Sequence, residues 1–141
     1  MSYYLAIVGT EDNPIYTQEF GTFRQGGDGN SRFSPEMKEL APFILHAAID
    51  MVEQTASKTN QLYLRTVDNF YSHLVSAFVT AGDIKIMLLH ETRNEESIRQ
   101  FFQEVHDLYV KTLLSPFYFV NQPITSPVFD QRIKSLAKKY L

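Results

Sequence analysis

Residues 62–82, LYLRTVDNFYSHLVSAFVTAG, with IKIMLLHETR at 84–93 just behind them, decide how this chain folds. They read as three successive strands, over about residues 61–67, 70–80 and 84–90, joined by short turns at Asp68-Asn69 and Gly82-Asp83. Small Ser76 and Ala77 stand among bulky Leu74, Val75, Phe78 and Val79, a composition that suits a sheet covered on both faces. The stretch carries no nucleophile, no metal cluster and no phosphate loop. It belongs to a chain that packs and presents surfaces.

Working outward, Tyr3–Gly9 is apolar on both alternating faces, with Tyr3, Leu5 and Ile7 on one and Tyr4, Ala6 and Val8 on the other. That marks a central strand. Glu11-Asp12-Asn13-Pro14 is a turn, because Asn and Asp tolerate left-handed angles and Pro presets φ. Ile15–Phe20 returns as the second strand of a hairpin. Gly21–Ser34, containing Gly26-Gly27-Asp28-Gly29, is expected to be a flexible loop. No Gly-Lys-Ser/Thr follows it, which argues against a nucleotide cradle.

Ser34-Pro35 opens a helix that runs to about Ala56, with Pro42 either kinking it or marking its true start. Its buried face is expected to hold Met37, Leu40, Ala41, Ile44, Ala48, Met51 and Val52. Glu39, His46, Asp50 and Glu53 fall opposite, with Phe43 at the margin. Asn94 caps a second helix with Glu95 and Glu96 in its first turn, where negative charge suits the helix dipole. Its stripe is Ile98, Phe101, Phe102, Val105, Leu108, Tyr109 and Leu113. A linker bracketed by Pro116, Pro123 and Pro127 leads to a last helix begun by Ser126-Pro127, burying Phe129, Ile133, Leu136, Ala137 and Tyr140. The order β-β-α-β-β-β-α-α describes one mixed α/β (α+β) layered domain spanning 1–141.

Composition narrows the function. A hydrophobic fraction of 44%, with eleven Phe and eight Tyr in 141 residues, is enough for one core. The net charge of −3 gives no basic field for nucleic acid. Lys134, Lys138 and Lys139 read as a solvated helix end. Without cysteine there is no disulfide or thiolate chemistry. The opening MSYYLAIVG lacks a basic leader, and no window approaches the ~20 apolar residues of a membrane span. The expectation is a soluble, cytosolic chain that reaches membranes through partners, without direct insertion.

Four histidines, His46, His73, His90 and His106, show no metal-ligand spacing, so no metal or cofactor is expected. His46 and Asp50 lie four apart on one helix face, as an acid/base couple would, or as an ordinary surface pair. No nucleophile elbow accompanies them. His106 and Asp107 are expected on the solvated side of the second helix. Two surface features remain. One is the outward strip Phe43, His46, Asp50 and Glu53. The other is Phe117-Tyr118-Phe119-Val120, expected mostly to fold back over the sheet and partly to remain as contact surface. A non-enzymatic scaffold leads these readings. A small ligand-binding α/β regulatory domain stands second, and a hydrolase using His46 and Asp50 third.

Several segments carry a resemblance: IVGTEDNPIY, FILHAAIDMV, LYLRTVDNF, VSAFVTAG, LLHETRNEESIRQFF, DLY, PFY and the closing FD…I…LAKK. Together they resemble sedlin, the small longin-like subunit of the TRAPP vesicle-tethering complexes, over almost the whole chain. Gly21–Ser34 and Gln54–Asn60 depart from the family pattern. The resemblance implies a five-stranded sheet in the order 2-1-5-4-3, with one helix on one face and two on the other. It implies no catalytic residues. The implied role is that of an adaptor joining small core TRAPP subunits to larger peripheral ones in ER-to-Golgi and Golgi traffic. Rab GTPase exchange would belong to other subunits. The resemblance also places Asp50 in partner contact.

Overall fold

The structure, a computed structural model, describes residues 2–22, 27–91 and 94–141. Five strands, β1 (Ser2–Val8), β2 (Pro14–Gly21), β3 (Tyr63–Phe70), β4 (His73–Val79) and β5 (Lys85–His90), form one antiparallel sheet in the order β2-β1-β5-β4-β3. Three helices, α1 (Pro35–Ala56), α2 (Glu95–Leu113) and α3 (Pro127–Tyr140), cover it. This is the longin-like arrangement the resemblance implies.

The alternation in β1 divides the core. Tyr3, Leu5 and Ile7 join Phe101, Phe102, Val105, Phe129 and Ile133 under α2 and α3. Tyr4, Ala6 and Val8 join Leu45, Ala48, Ile49 and Val52 under α1. Both faces of the strand are therefore dry, as a strand apolar on both sides requires. The caps also sit where read: Ser34, Asn94 and Ser126 accept from the backbone N–H groups of Met37, Ser97 and Phe129.

Three expectations need correction, and one of the two readings of Pro42 falls away. The buried residues of α1 are Ala41, Leu45, Ala48, Ile49 and Val52, whereas Leu40 and Met51 are exposed. The true face is rotated by roughly 60° from the predicted one, at 100° per residue. The helix runs through Pro42 from its start at Pro35. The β3–β4 turn is not at Asp68-Asn69 but at Tyr71-Ser72, with Phe70 paired to His73 and Tyr71 at φ 54°. Irregularities at Tyr63/Arg65 and Thr66/Asp68 absorb the extra residues, so Asp68 and Asn69 stay in the strand. His106 is half-buried with its ring 5.3 Å from that of Phe78, while Asp107 is exposed as expected.

Within the glycine-rich segment, Gly26 lies outside the described residues. The part that follows is tied down. The Gly21 N–H donates to the Gly29 carbonyl, the Arg32 N–H to Ser2 Oγ, and Phe33 is buried under α1.

Candidate functional site

The outward strip of α1 forms because positions 43, 46, 50 and 53 recur at three- and four-residue steps on one side of the helix. Phe43 is 71% exposed, and His46, Asp50 and Glu53 are also exposed. No hydrogen bond joins His46 to Asp50 among the described residues, so the structure does not assemble the acid/base couple. Phe43 is largely exposed to water, the state expected of a contact residue.

Beside this strip runs a groove. α1 lies chiefly over β3, β4 and β5 and also covers the Tyr4, Ala6 and Val8 side of β1. Between its near side and the β1–β2 hairpin is a shallow recess of about 70 Å³, lined by Tyr4, Ala6, Val8, Pro14, Thr17, Pro42, Leu45, His46 and Ile49, with Asp12 at one end. The recess is mostly apolar and far below the ~300–1,000 Å³ of small-molecule sites. It suits a side-chain row better than an enclosed ligand.

At the Asp12 end lies a residue that no sequence expectation singled out. Lys85 begins β5 with its side chain on the α1 face and only 2% exposed. Its Nζ is 3.4 Å from Asp12 Oδ1, 3.7 Å from Asp83 Oδ1 and 3.8 Å from Glu53 Oε1. One buried ammonium thus ties the β1–β2 turn, the β4–β5 turn and α1 together, since a buried charge demands partners. The three carboxylates remain substantially exposed. The available signal was a lone charge between Ile84 and Ile86 in an otherwise apolar run.

The second surface lies at the other flank of the β1–β2 turn. Of Phe117-Tyr118-Phe119-Val120, only Tyr118 packs against the core; Phe117 is 89% exposed and Phe119 67%, with Val120 and Leu114 also exposed. The expectation that most of this segment folds back is corrected: Tyr118 alone turns inward, and its hydroxyl donates to the Gln122 carbonyl. Burial pushes the Tyr118 hydroxyl up to about 12, with Tyr109 adding to the shift.

The linker is nonetheless anchored. Asn121, at φ 70°, accepts from the Thr10 N–H through Oδ1 and donates to Thr10 Oγ1, and its carbonyl accepts from Asn13 Nδ2. The Ile124 N–H donates to the Ile15 carbonyl on edge strand β2. At the start of α3, Asp130 accepts from Tyr16 Oη at 2.7 Å and from Gln18 Nε2 at 2.9 Å. The Tyr16 hydroxyl holds the Asp130 carboxyl below its usual range, and Lys134 adds to this.

Among the described residues no group of three or more acidic or histidine side chains is arranged to hold a metal, and no helix is long and apolar enough to cross a membrane. Comparison with known proteins gives one picture. The sedlin family model matches residues 7–139. The chain is 42% identical to the transport protein particle 20 kDa subunit of Schizosaccharomyces pombe, covering all of both chains. It is 39% identical to a probable trafficking protein particle complex subunit 2 of Drosophila melanogaster, over 99% of this chain and 97% of the relative. It is 34% identical to the trafficking protein particle complex subunit 20 of Saccharomyces cerevisiae, over 100% and 99% respectively.

Proposed function

Because the chain belongs to the sedlin family, we propose that it is a non-enzymatic adaptor subunit of a trafficking protein particle (TRAPP) tethering complex, linking small core subunits to larger peripheral ones. The observation that carries this reading is the separation of two exposed, firmly supported surfaces. The α1 strip of Phe43, His46, Asp50 and Glu53 stands on a 22-residue helix. The Phe117 and Phe119 patch stands on a linker anchored through Asn121. An adaptor needs two faces that can be occupied at once, each rigid enough to limit the ordering cost of binding. Relatives matched over their full length carry the names of subunits of such a complex.

In this role the protein acts in ER-to-Golgi and Golgi vesicle transport and sits at those membranes through its complex. It meets a Rab GTPase only indirectly, through other subunits. The test is affinity purification of the tagged chain from its own cells with identification of the co-purifying proteins. TRAPP subunits of both the small and the large class are expected. Their absence sinks the reading.

A further inference from the structure

α2 and α3 pack side by side and close the core beneath them, but the outer side of their seam is hollowed. Two recesses follow one another along it. The first, about 220 Å³, lies between Lys111 and Thr112 of α2 and Val128 and Arg132 of α3, over a floor of buried Leu108 and Phe129. The second, about 340 Å³, is bounded by Phe117, Gln122 and Pro123 of the linker, with Tyr118 and Ile124 below. Thr112 and Ser126 line both, so the two hollows run on from one another. The apolar surface here is not packed under another element: Phe117 is 89% exposed and Val128 58%.

The charges along the seam are ordered. Lys111 and Arg132 are the charged side chains of these two hollows, and no carboxylate lines either one. Both cations are exposed, and among the described residues neither is joined to a carboxylate. The ion pairs on the same helices lie elsewhere, Arg99 with Glu96 and Lys134 with Asp130. A third recess, which Lys111 and Arg132 also border, carries Glu104 and Asp107. Glu104 already accepts from Tyr140 Oη near the end of α3. The seam therefore runs from carboxylates, through two cations, to apolar side chains.

We propose that the outer seam of α2 and α3 seats an extended, acidic segment of a partner subunit, with a carboxylate between Lys111 and Arg132 and a large apolar side chain against Phe117. The proposal rests on the adaptor reading and names the chemistry of the partner at the Phe117 surface. An Arg guanidinium grips a carboxylate through two parallel N–H donors, and Lys adds a point charge. Helices in contact lie 8–10 Å apart, too close to admit a third helix about 10–12 Å wide between them, whereas an extended chain can lower alternate side chains into successive hollows. From Leu108 to Ser115 α2 rises about 11 Å, which extended chain crosses in about three or four residues. The acidic and apolar residues of the segment are therefore about that far apart. An acidic residue on the other side of the first would meet Glu104 and Asp107, so the order of charges also fixes the direction in which the segment lies. Phe117 belongs at once to the second hollow and to the exposed patch with Leu114 and Phe119, so one partner covers both.

The test places a photo-crosslinking benzoylphenylalanine at Val128 in the full chain, expressed in its own cells, and sequences the peptide it captures. Lys111→Glu with Arg132→Glu is run beside it, as is the charge-keeping exchange Lys111→Arg with Arg132→Lys. All four changes are at exposed positions and are checked for an unchanged melting temperature. A reversed pair that melts lower is replaced by Lys111→Gln with Arg132→Gln, for which the same loss is expected. The captured peptide should hold an Asp or Glu within about four residues of a large apolar side chain. Its yield should fall at least about tenfold with the reversed pair and change less than about threefold with the exchanged pair. Changing that acidic residue of the partner to Lys should restore capture by the reversed pair. Capture of a segment without an acidic residue, capture of a second copy of this chain, a yield indifferent to charge reversal, or no captured peptide would overturn the proposal. With TRAPP subunits still recovered, such a result leaves the adaptor reading standing. If the unmodified chain recovers no TRAPP subunits, that reading fails on its own account.

Discussion

Replacing Tyr16 by Phe removes one hydrogen bond and almost nothing else. The ring still packs edge-on against Phe129, 4.9 Å between centroids, while the 2.7 Å donation from Tyr16 Oη to Asp130 disappears. Hydrogen bonds to charged groups contribute about 1.5–3 kcal/mol. The Asp130 side chain is 36% exposed and keeps Gln18 and Lys134, so solvent screening reduces the expected loss to about 1–1.5 kcal/mol. A chain of 141 residues unfolds with an entropy near 0.3 kcal/mol per kelvin, which makes this a melting temperature about 3–5 °C lower at pH 7. The pH dependence has a definite sign. Asp130's folded pKa is depressed, chiefly by the Tyr16 hydroxyl, so its contribution is present above the unfolded carboxylate value and is lost as pH falls through the folded one. Urea titrations of parent and variant from pH 7 toward about pH 3 should therefore converge on the acid side. Equal stability at pH 7, or a gap that does not narrow in acid, would refute the pairing of α3's first turn with β2.

Ile133→Asp puts a carboxylate into the closed core under α3 and should cost about 4 kcal/mol or more; a melting temperature within about two degrees of the parent would mean that α3 is not packed there. Gly9→Ala drives a Cβ against the side-chain oxygens of Asn121 and Asn13 and should cost about 1–3 kcal/mol, and in denaturant titrations Asn121→Gly in the same chain should recover part of that loss. Asp50→Tyr, at an exposed position, should leave circular dichroism and melting unchanged within about 0.5 kcal/mol, yet lose a large peripheral subunit on affinity purification; unchanged recovery would make Asp50 an ordinary solvated residue.

The residues that could be placed from sequence are those whose pattern has one solution. β1 alternates between two apolar sets, so it had to be central, and Ile133 followed by helix periodicity. α1 was misphased because Leu40, Phe43 and Met51 make it apolar nearly all round. Which side is buried then depends on the lane the helix occupies, and local spacing does not record that. The turn at Tyr71-Ser72 lacks Gly, Pro and Asn, whereas Asp68-Asn69 has turn chemistry; two irregularities in β3 overrode it. The members of the α1 strip were legible as exposed, but the groove beside them was not. It is a recess between α1 and the β1–β2 hairpin, and only the assembled sheet reveals it.

The unequal cover also accounts for how the turn between the two candidate surfaces is held. On the two-helix face the β2 edge is closed by Asp130, which receives Tyr16 and Gln18, and by the Ile124–Ile15 backbone bond. That closure brings the linker against the β1–β2 turn, where Asn121 locks onto Thr10 and Asn13. On the one-helix face no equivalent bond among the described residues closes β2, and the same turn ends in Asp12 beside the buried Lys85. The turn between Gly9 and Pro14 is therefore held from both sides, by polar side chains of the linker on one flank and by an ion cluster on the other. The Phe117 patch and the α1 groove flank that one rigid element. A partner on either surface meets a boundary already ordered before binding, which lowers the entropy lost on docking and lets both surfaces be occupied without rearranging the sheet between them.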